Sequence, residues 1–280
     1  MTKWDFPCSD PIDIAIDNWT SGSIVLAGEP TDTVVVEVLP SHRSRADLLD
    51  QVEVEFSDGQ LAIRGPRDVT SWRRYELDLT IKAPAGSSCG AKTVSADLSC
   101  VGTLSGLSIS TASGDLTASI VTGDVTAKTA SGDLLLDRVG GDLTVQTASG
   151  DVRATEVDGA VRINSASGDV TIGYCADSVT TKTASGDVQL GAVSSGVIEL
   201  NSATGDVAVA VVPGTGVYLS LSSLTGSVRS DLDEVDSAEA AGPAGPAVEI
   251  RARTLSGDIH VLRAVVDRRD SDNAAPAQAE

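Results

Sequence analysis

Aromatic residues are scarce in this chain of 280 residues, which contains three tryptophans, three tyrosines and two phenylalanines. Six of these eight lie within the first 75 residues, so the rest of the chain has to build its core from smaller aliphatic side chains. There are only two histidines, His42 and His260, and there is no HExxH motif or phosphate-cradling glycine loop. The sequence therefore predicts a noncatalytic protein without a cofactor. A carbohydrate-active β-helix is a minor alternative, because its grooves use aromatic and arginine side chains that are rare in the repeats.

Basic residues are also few: 20 Lys and Arg stand against 40 Asp and Glu, which gives a formal net charge of −20. Such a charge argues against unaided binding to nucleic acid or to an anionic membrane. No apolar run has the length of a signal peptide or of a membrane span, and the four cysteines form no CxxC pair. We therefore expect a soluble cytoplasmic protein with reduced thiols, no nucleic-acid partner and no direct membrane insertion.

The chain is rich in one short repeat. The pentapeptide Thr-Ala-Ser-Gly-Asp or a close variant returns every 18 residues, with a slip of one residue at the last step, at 111–115, 129–133, 147–151, 165–169, 183–187 and 202–206. A fixed short period of this kind indicates structural units that bury their apolar faces by stacking on their neighbours.

Each 18-residue unit divides into two halves of nine residues that usually begin with glycine. The third and fifth positions of a half are apolar and the fourth is polar, which is the pattern of a half-buried strand. Position eight, such as Ala130 or Val139, is predicted to point inward at a bend, followed by a glycine that is able to take positive φ. Two bent halves form one coil. An up-and-down meander would show similar turns, but it needs a covering layer, and no amphipathic helix lies in the repeats.

The fold class predicted is therefore all-β: a single-chain β-solenoid with about 18 residues per coil. Bulkier residues in the first 86 positions predict an N-terminal β-rich cap that covers the edge of the first coil. The regular repeats extend from 87 to 230, and an acidic, Pro- and Gly-rich excursion follows at 231–249. We expect a final β rung at 250–264, with TLSGD at its corner, and a disordered tail at 265–280.

The repeated turns are the first candidate site. Their glycines and aspartates would form a structural turn ladder along one edge of the solenoid: Gly114, Asp115, Gly132, Asp133, Gly150, Asp151, Gly168, Asp169, Gly186, Asp187, Gly205 and Asp206. We expect each carboxylate to accept hydrogen bonds from the backbone amides of its own turn. A row of calcium sites is improbable, because the GGxGxD signature of calcium-binding nonapeptides is absent. The Thr-x-Ser hydroxyl row beside the ladder is similar to the threonine-x-threonine rows of ice-binding solenoids, but hydrogen bonds within the turn explain it without a ligand.

The second candidate site is a basic, aromatic segment in the N-terminal region. Arg67, Trp72, Arg73 and Arg74 lie close together in a chain that otherwise has few cations. A solvated loop is the default interpretation of such a segment. It is also the best candidate for docking a protein partner, since tryptophan and arginine are enriched at interfaces.

Several segments resemble one family. The run YELDLTIKAPAG at 75–86, the segment AKTVSADLSC at 91–100 and the train of TASGDV-like turns resemble the putative-adhesin β-strand-repeat domain, also called the toastrack domain. The upstream IDNWTSGSIVLAG at 16–28 resembles the opening strand-turn-strand of that family. The resemblance implies a single-chain β-solenoid, and it implies no catalytic residues. Some relatives carry membrane segments in cell-envelope stress systems, where they are thought to act as assembly platforms, and no such segment is present in this sequence.

Together these features predict a noncatalytic structural or interaction scaffold. The rod would bind a protein partner or self-assemble through its coil ends. The alternative is an acidic decoy that mimics nucleic acid and occupies a DNA-binding protein. Mimicry requires charges along two helical phosphate paths, whereas the repeat places most of its aspartates on one edge.

Overall fold

The computed structural model describes residues 1–40, 46–66, 76–232 and 247–264. Within these ranges the chain forms 22 strands in one continuous sheet and a single short 3-10 helix, η1 (Ala46–Gln51). No helical segment of the described residues combines the length and the apolar character needed to cross a bilayer. The strands are β1 (Thr2–Pro7), β2 (Asp13–Glu29), β3 (Thr33–Pro40), β4 (Glu53–Ser57), β5 (Gln60–Arg64), β6 (Leu77–Pro84), β7 (Ser87–Ser110), β8 (Leu116–Val121), β9 (Val125–Thr129), β10 (Leu134–Val139), β11 (Leu143–Ser149), β12 (Val152–Val157), β13 (Val161–Ser167), β14 (Val170–Cys175), β15 (Val179–Ser185), β16 (Val188–Val193), β17 (Gly196–Thr204), β18 (Val207–Val211), β19 (Gly216–Ser223), β20 (Val228–Ser230), β21 (Ala247–Ser256) and β22 (Ile259–Arg263).

The repeats form a parallel β-solenoid. From β8 to β18, each strand pairs in parallel with the strand two places away in the chain, so that two strands make one coil. The register follows the 18-residue period: Leu134 lies between Leu116 and Val152. The period lengthens to 19 residues where Val179 pairs with Ile198. This pairing confirms the predicted solenoid and excludes a meander, whose neighbouring strands would be antiparallel.

A narrow aliphatic seam fills the interior, as the alternation predicts. The third and fifth residues of each half are buried, as Leu143 and Val145 show with 0% exposure. The two corners of a coil differ from each other. At one corner position eight is buried, as Val139 is, but at the TASGD corner Ala130 and Ala148 are exposed. The prediction that these alanines point inward is wrong, because the threonine before them turns inward to bond its own turn, as Thr147 does.

The N-terminal region caps the first coil. Strand β2 pairs in parallel with β7 across its whole bent length, and β5 and β6 pair in parallel with the far edge of β2. Antiparallel strands then end the stack. Strand β3 pairs with β6, β1 pairs with β3, and β4 pairs with β5. Trp19 is buried beneath this cap, and its Nε1 donates a hydrogen bond to the carbonyl of Leu77 over 3.1 Å. The rings of Phe6 and Phe56, on the two outermost strands, lie 5.2 Å apart.

The last coils of the stack are not in chain order. Strand β21 lies between β17 and β19, and β22 lies between β18 and β20. The segment 250–264, which we expected to be the final rung, is therefore part of the penultimate coil. The terminal coil is built by β19 and β20, residues 216–230. Coils with the same in-register apolar positions are interchangeable in a parallel stack, so the repeat pattern could not predict their order.

One core residue contradicts the aliphatic pattern and generates a prediction. Thr181 is 0% exposed, its hydroxyl has no hydrogen-bond partner among the described residues, and its neighbours in register are Ile163 and Leu200. A buried hydroxyl without a partner is destabilising, so Thr181→Val should raise the free energy of unfolding by about 1 kcal/mol in urea denaturation.

The matched control is Thr147→Val in the neighbouring repeats. The Thr147 hydroxyl accepts a hydrogen bond from the N–H of Gly150 over 3.1 Å, so this change should lower the free energy of unfolding by about 1 kcal/mol. If both variants change the free energy of unfolding in the same direction, the different roles of the Thr181 and Thr147 hydroxyls are contradicted.

Candidate functional site

The aspartates of the turn ladder form a continuous chain of hydrogen bonds along the stack. Each Oδ1 accepts from a backbone N–H in the next coil of the stack over 2.8–3.0 Å, in the order Asp97 to Asp115, Asp133, Asp151, Asp169, Asp187, Asp206, Asp258 and finally Ser227. We expected these carboxylates to bond the amides of their own turn, and that expectation is wrong. The amide that follows the corner glycine is available to the preceding coil because strand pairing is interrupted there.

This bonding accounts for a row of like charges. Carboxylates about 4.8 Å apart repel each other by about 0.9 kcal/mol per neighbouring pair in water. A hydrogen bond to a charged acceptor contributes about 1.5–3 kcal/mol, which is enough to offset the repulsion. Asp97 at the start of the row precedes the TASGD series and was missed by the motif, and the row ends at Ser227, which donates to Asp258 and has no carboxylate to continue the row.

The hydroxyl beside each corner serves its own turn, as predicted. The threonines at 111, 129 and 147 accept hydrogen bonds from the amides of Gly114, Gly132 and Gly150 over 2.8–3.1 Å. Thr183 and Ser202 instead donate to the carbonyls of Ser185 and Thr204. In each Thr-x-Ser pair of the corner, the first hydroxyl is thus bonded within its own turn. The corner therefore does not present the outward double row of hydroxyls that an ice-binding surface needs.

Close contact between coils explains the corner glycines better than positive φ does. A Cβ at Gly132 would lie 2.0 Å from the carbonyl oxygen of Gly114 in the preceding coil. Gly132 itself does not have positive φ, whereas Gly168 does, at 122°. The expectation of a left-handed turn therefore holds only for the later corners, while the lack of room for a side chain holds for the whole ladder.

A second, shorter row of the same kind lies at the opposite corner, and sequence reasoning missed it. Asp124 accepts from the amide of Asp142 over 2.8 Å, and Asp142 accepts from the amide of Ala160 over 2.9 Å. The amide of Ala160, with a further contribution from Arg162, lowers the pKa of Asp142. The signal was present as Gly-Asp at 123–124 and 141–142, and alanine at 160 ends the row.

Neither row gathers its acids at one point. The ladder supplies one carboxylate per coil, and no group of three or more His, Cys, Asp or Glu side chains within the described ranges is placed to hold a metal ion. The ladder is also a single row, not the pair of helical paths that mimicry of nucleic acid requires. In this arrangement the repeated aspartates join one coil to the next.

The candidate docking residues Arg67, Trp72, Arg73 and Arg74 lie outside the described residues, so docking at this segment stays a prediction. The described chain stops just before it, at Pro66, whose carbonyl accepts a hydrogen bond from Asn18 over 2.8 Å. Arg64 on β5 is within 3.6 Å of Glu53 and 3.7 Å of Glu55.

The thiols are shielded. Cys89, Cys100 and Cys175 are buried and Cys8 is half-buried, and none of the four forms a disulfide. Burial raises the pKa of Cys89 to about 12 and also raises the pKa of Cys100 and of Cys175. The predicted inward position of Cys175 is confirmed. Thiols that stay protonated are poor nucleophiles, so these three act as core residues.

The two ends of the stack differ in chemistry. Antiparallel strands cover the N-terminal end, and their exposed charges form pairs such as Lys3 with Asp5 at 3.1 Å. At the other end, within the described chain, β19 pairs only with β21, and β20 pairs only with β22. The residues from 207 to 228 include no charged side chain. Tyr218 and Leu224 are 71% and 77% exposed there. Strand β19 thus gives the terminal coil an open edge without charge, and the one charged side chain of this coil is Arg229 on β20.

The aspartate ladder can be tested at Asp133, whose Oδ1 accepts the amide of Asp151 over 2.9 Å. Asp133→Ala removes this acceptor and should lower the free energy of unfolding by about 1 kcal/mol in urea denaturation. Asp133→Asn keeps an oxygen acceptor and relieves the repulsion between carboxylates, so it should stay close to the wild type. A larger loss for the asparagine variant than for the alanine variant would contradict the ladder.

The end of the ladder should be sensitive to acid. The amide and the hydroxyl of Ser227 lower the pKa of Asp258. Its folded pKa therefore lies below the unfolded value of about 3.9. The stabilisation is complete above that value and is lost as pH falls through the folded pKa. In a carbon-detected NMR titration the Asp258 carboxyl should have a midpoint below about 3.9, and a midpoint above it would contradict the contact.

A putative cell adhesion protein from Clostridium sporogenes is similar at 12% identity, with 94% of this chain and 99% of that chain covered and a TM-score of 0.25. A putative adhesin from Bacteroides fragilis is 12% identical, with 94% of this chain and 96% of that chain covered and a TM-score of 0.40. A putative adhesin from Parabacteroides distasonis is 15% identical, with 92% of this chain and 96% of that chain covered and a TM-score of 0.39. No curated protein matches the chain. The family described as Toastrack DUF4097 matches residues 13–262, which span the cap, the repeats and the penultimate coil. The chain therefore belongs to the Toastrack DUF4097 family, as its turn motif and its opening strands predicted.

Proposed function

We propose that this protein is a noncatalytic interaction scaffold: a rigid, acidic β-solenoid that engages protein through the open end of its stack. The observation that carries this proposal is the difference between the two ends. The outermost strands of one end carry paired surface charges, as Lys3 and Asp5 on β1 do, whereas β19 at the other end exposes an edge without charge.

An unprotected edge of this kind is unusual in a protein that has no use for it. Natural sheets protect their edges with charges, proline, bulges or a covering segment, because unpaired N–H and C=O groups recruit other chains. The N-terminal end of this stack follows that rule. At the terminal coil, Leu219 is 40% exposed although its register partner Ile250 is fully buried. The seam of the core therefore continues to the end of the stack and reaches solvent there.

The noncatalytic part of the proposal is supported by what the repeated polar groups do. Each ladder carboxylate accepts a hydrogen bond from an amide of the next coil, as Asp115 does from Asp133. A corner hydroxyl such as that of Thr129 accepts one from an amide of its own turn. Groups used in this way are structural, so the repeats supply a stiff and periodic body. A protein partner and a cytoplasmic location complete the proposal, and neither calcium nor nucleic acid is among the proposed ligands.

The experiment compares capture of proteins from the native host by three forms of the chain. The double change Leu224→Asp and Leu255→Asp alters two exposed leucines of the last two coils, which are 77% and 60% exposed. Leu135→Asp is the matched control, because Leu135 is 47% exposed in the middle of the stack. Captured proteins, including further copies of the chain, should be lost with the double variant and kept with the control.

The same experiment tests the second candidate site. A form with Trp72→Ala and Arg74→Ala should capture the same proteins as the wild type if the open end is the interaction surface. Loss of captured proteins with this form, together with retention by the leucine double variant, would move the proposal from the open end to the segment at 67–74.

A further inference from the structure

We infer that the occupant of the open end is a second copy of this chain, so that two rods pair end to end through their terminal coils. This inference rests on the proposed function, since it names the partner of the same surface. The contact joins the outer edge of β19 in one copy to the same edge in the other, around a two-fold axis. The result is a closed pair, not a filament.

The terminal coil has the composition of an interface. Its strand β19 places three apolar residues on the seam in register with the buried residues of β21: Val217 with Val248, Leu219 with Ile250, and Leu221 with Ala252. A further apolar contribution comes from the TASGD corner. Six coils carry alanine at the middle of that corner, at 112, 130, 148, 166, 184 and 203, but the last two coils carry the exposed residues Leu255 and Leu224.

The backbone of β19 is free to pair. Over its eight residues, 216–223, the strand contains no proline and no charge, so the backbone amides and carbonyls that face away from β21 are able to pair. A second β19 in antiparallel orientation satisfies both edges at once and continues the sheet across the two copies. A head-to-tail chain of copies is opposed by charge, because β1 and β4, the outermost strands of the N-terminal end, carry charged side chains such as Lys3, Asp5 and Glu55, and β19 carries none.

Charge favours a second copy over a charged partner. Each copy carries a formal charge of −20, so two rods side by side repel each other along their whole length. End-to-end contact keeps the two charged bodies far apart and brings together the uncharged segments 207–228. An acidic or a basic partner would find no complementary charge on β19, whereas a second β19 matches it in both polarity and length.

The area sets the strength of the contact. Eight residues of strand measure about 26 Å, and two sheets about 10 Å apart with their outward side chains are about 20 Å across. The end face is then about 500 Å² per copy, or about 1,000 Å² in total, which lies at the lower limit for a specific interface. We therefore expect a dimer that dissociates in the micromolar range and that tightens with added salt, as screening weakens the repulsion.

The test is light scattering after size exclusion across a concentration series, with small-angle scattering for the shape. The mass should rise from 28.5 kDa to twice that value and then stop, and the longest dimension should nearly double. Leu219→Lys places a charge at the centre of the β19 edge. It should raise the protein concentration at the midpoint of the monomer–dimer transition at least tenfold. Leu135→Lys, in the middle of the stack, should leave the midpoint unchanged.

A second variant protects the test against loss of the fold. Leu219 lies in register with the buried Ile250, so Leu224→Lys, at a corner residue that is 77% exposed, is measured beside it. Circular dichroism melting curves should show that this variant is as folded as the wild type. Dimerisation should nevertheless weaken at least threefold, because the introduced lysine and its image across the axis repel each other.

Three results would overturn the inference: a wild type that stays at 28.5 kDa at high concentration, a mass that grows beyond two copies, or a dimer that both edge variants leave intact. Failure of the inference is distinguishable from failure of the proposed function. If the wild type is monomeric and the leucine double variant still loses captured proteins, the scaffold function stands and the partner is a different protein. If end variants change neither mass nor capture, both proposals fail.

Discussion

Hydrogen bonding from one coil to the next is the constraint on which the rest of this structure depends. Parallel pairing holds successive coils at the strand spacing of about 4.8 Å, and the chain must also turn twice within each coil. At the TASGD corner, strand pairing is interrupted and an amide is left over, which a carboxylate of the neighbouring coil accepts, as Asp115 does for Asp133. The same closeness leaves no space for a Cβ at Gly132. The composition of the corner thus follows from contact along the stack.

A stack built in this way always has two ends, and its function is best sought there. Regular coils satisfy one another and expose a surface of turns and outward polar residues. The N-terminal end is closed by a change from parallel to antiparallel pairing, with Trp19 buried beneath the cap. The terminal coil has no such cover within the described residues, and its seam and backbone edge face outward. This difference gives the rod a direction, because the outermost strands of one end carry charged side chains and β19 at the other end carries none.

The repeat allowed much of the fold to be predicted. The spacing of TASGD and the alternation around Leu143 and Val145 predicted the coil, its two strands and the aliphatic seam, because a side-chain period of two leaves little choice of face. The corner was predicted less well. Alanine at 148 is apolar, yet it is exposed, since the hydroxyl of Thr147 is drawn inward by the amide of Gly150. The direction of the aspartate bonds was missed for a related reason: the acceptor and the donor are 18 residues apart, and a local turn pattern cannot identify the partner.

Composition and period alone were enough to specify a parallel β-solenoid with a bulkier cap at its start and glycine-aspartate corners along its edge. The order of the last coils was decided only in three dimensions. Strands β17, β21 and β19 carry the same apolar register, with Leu200, Ala252 and Leu221 at one level, so each fits beside either of the others. Which of them ends the stack depends on the path of the chain after Val211. That path places an uncharged strand at the end of the rod, and the open end therefore became visible only in the folded structure.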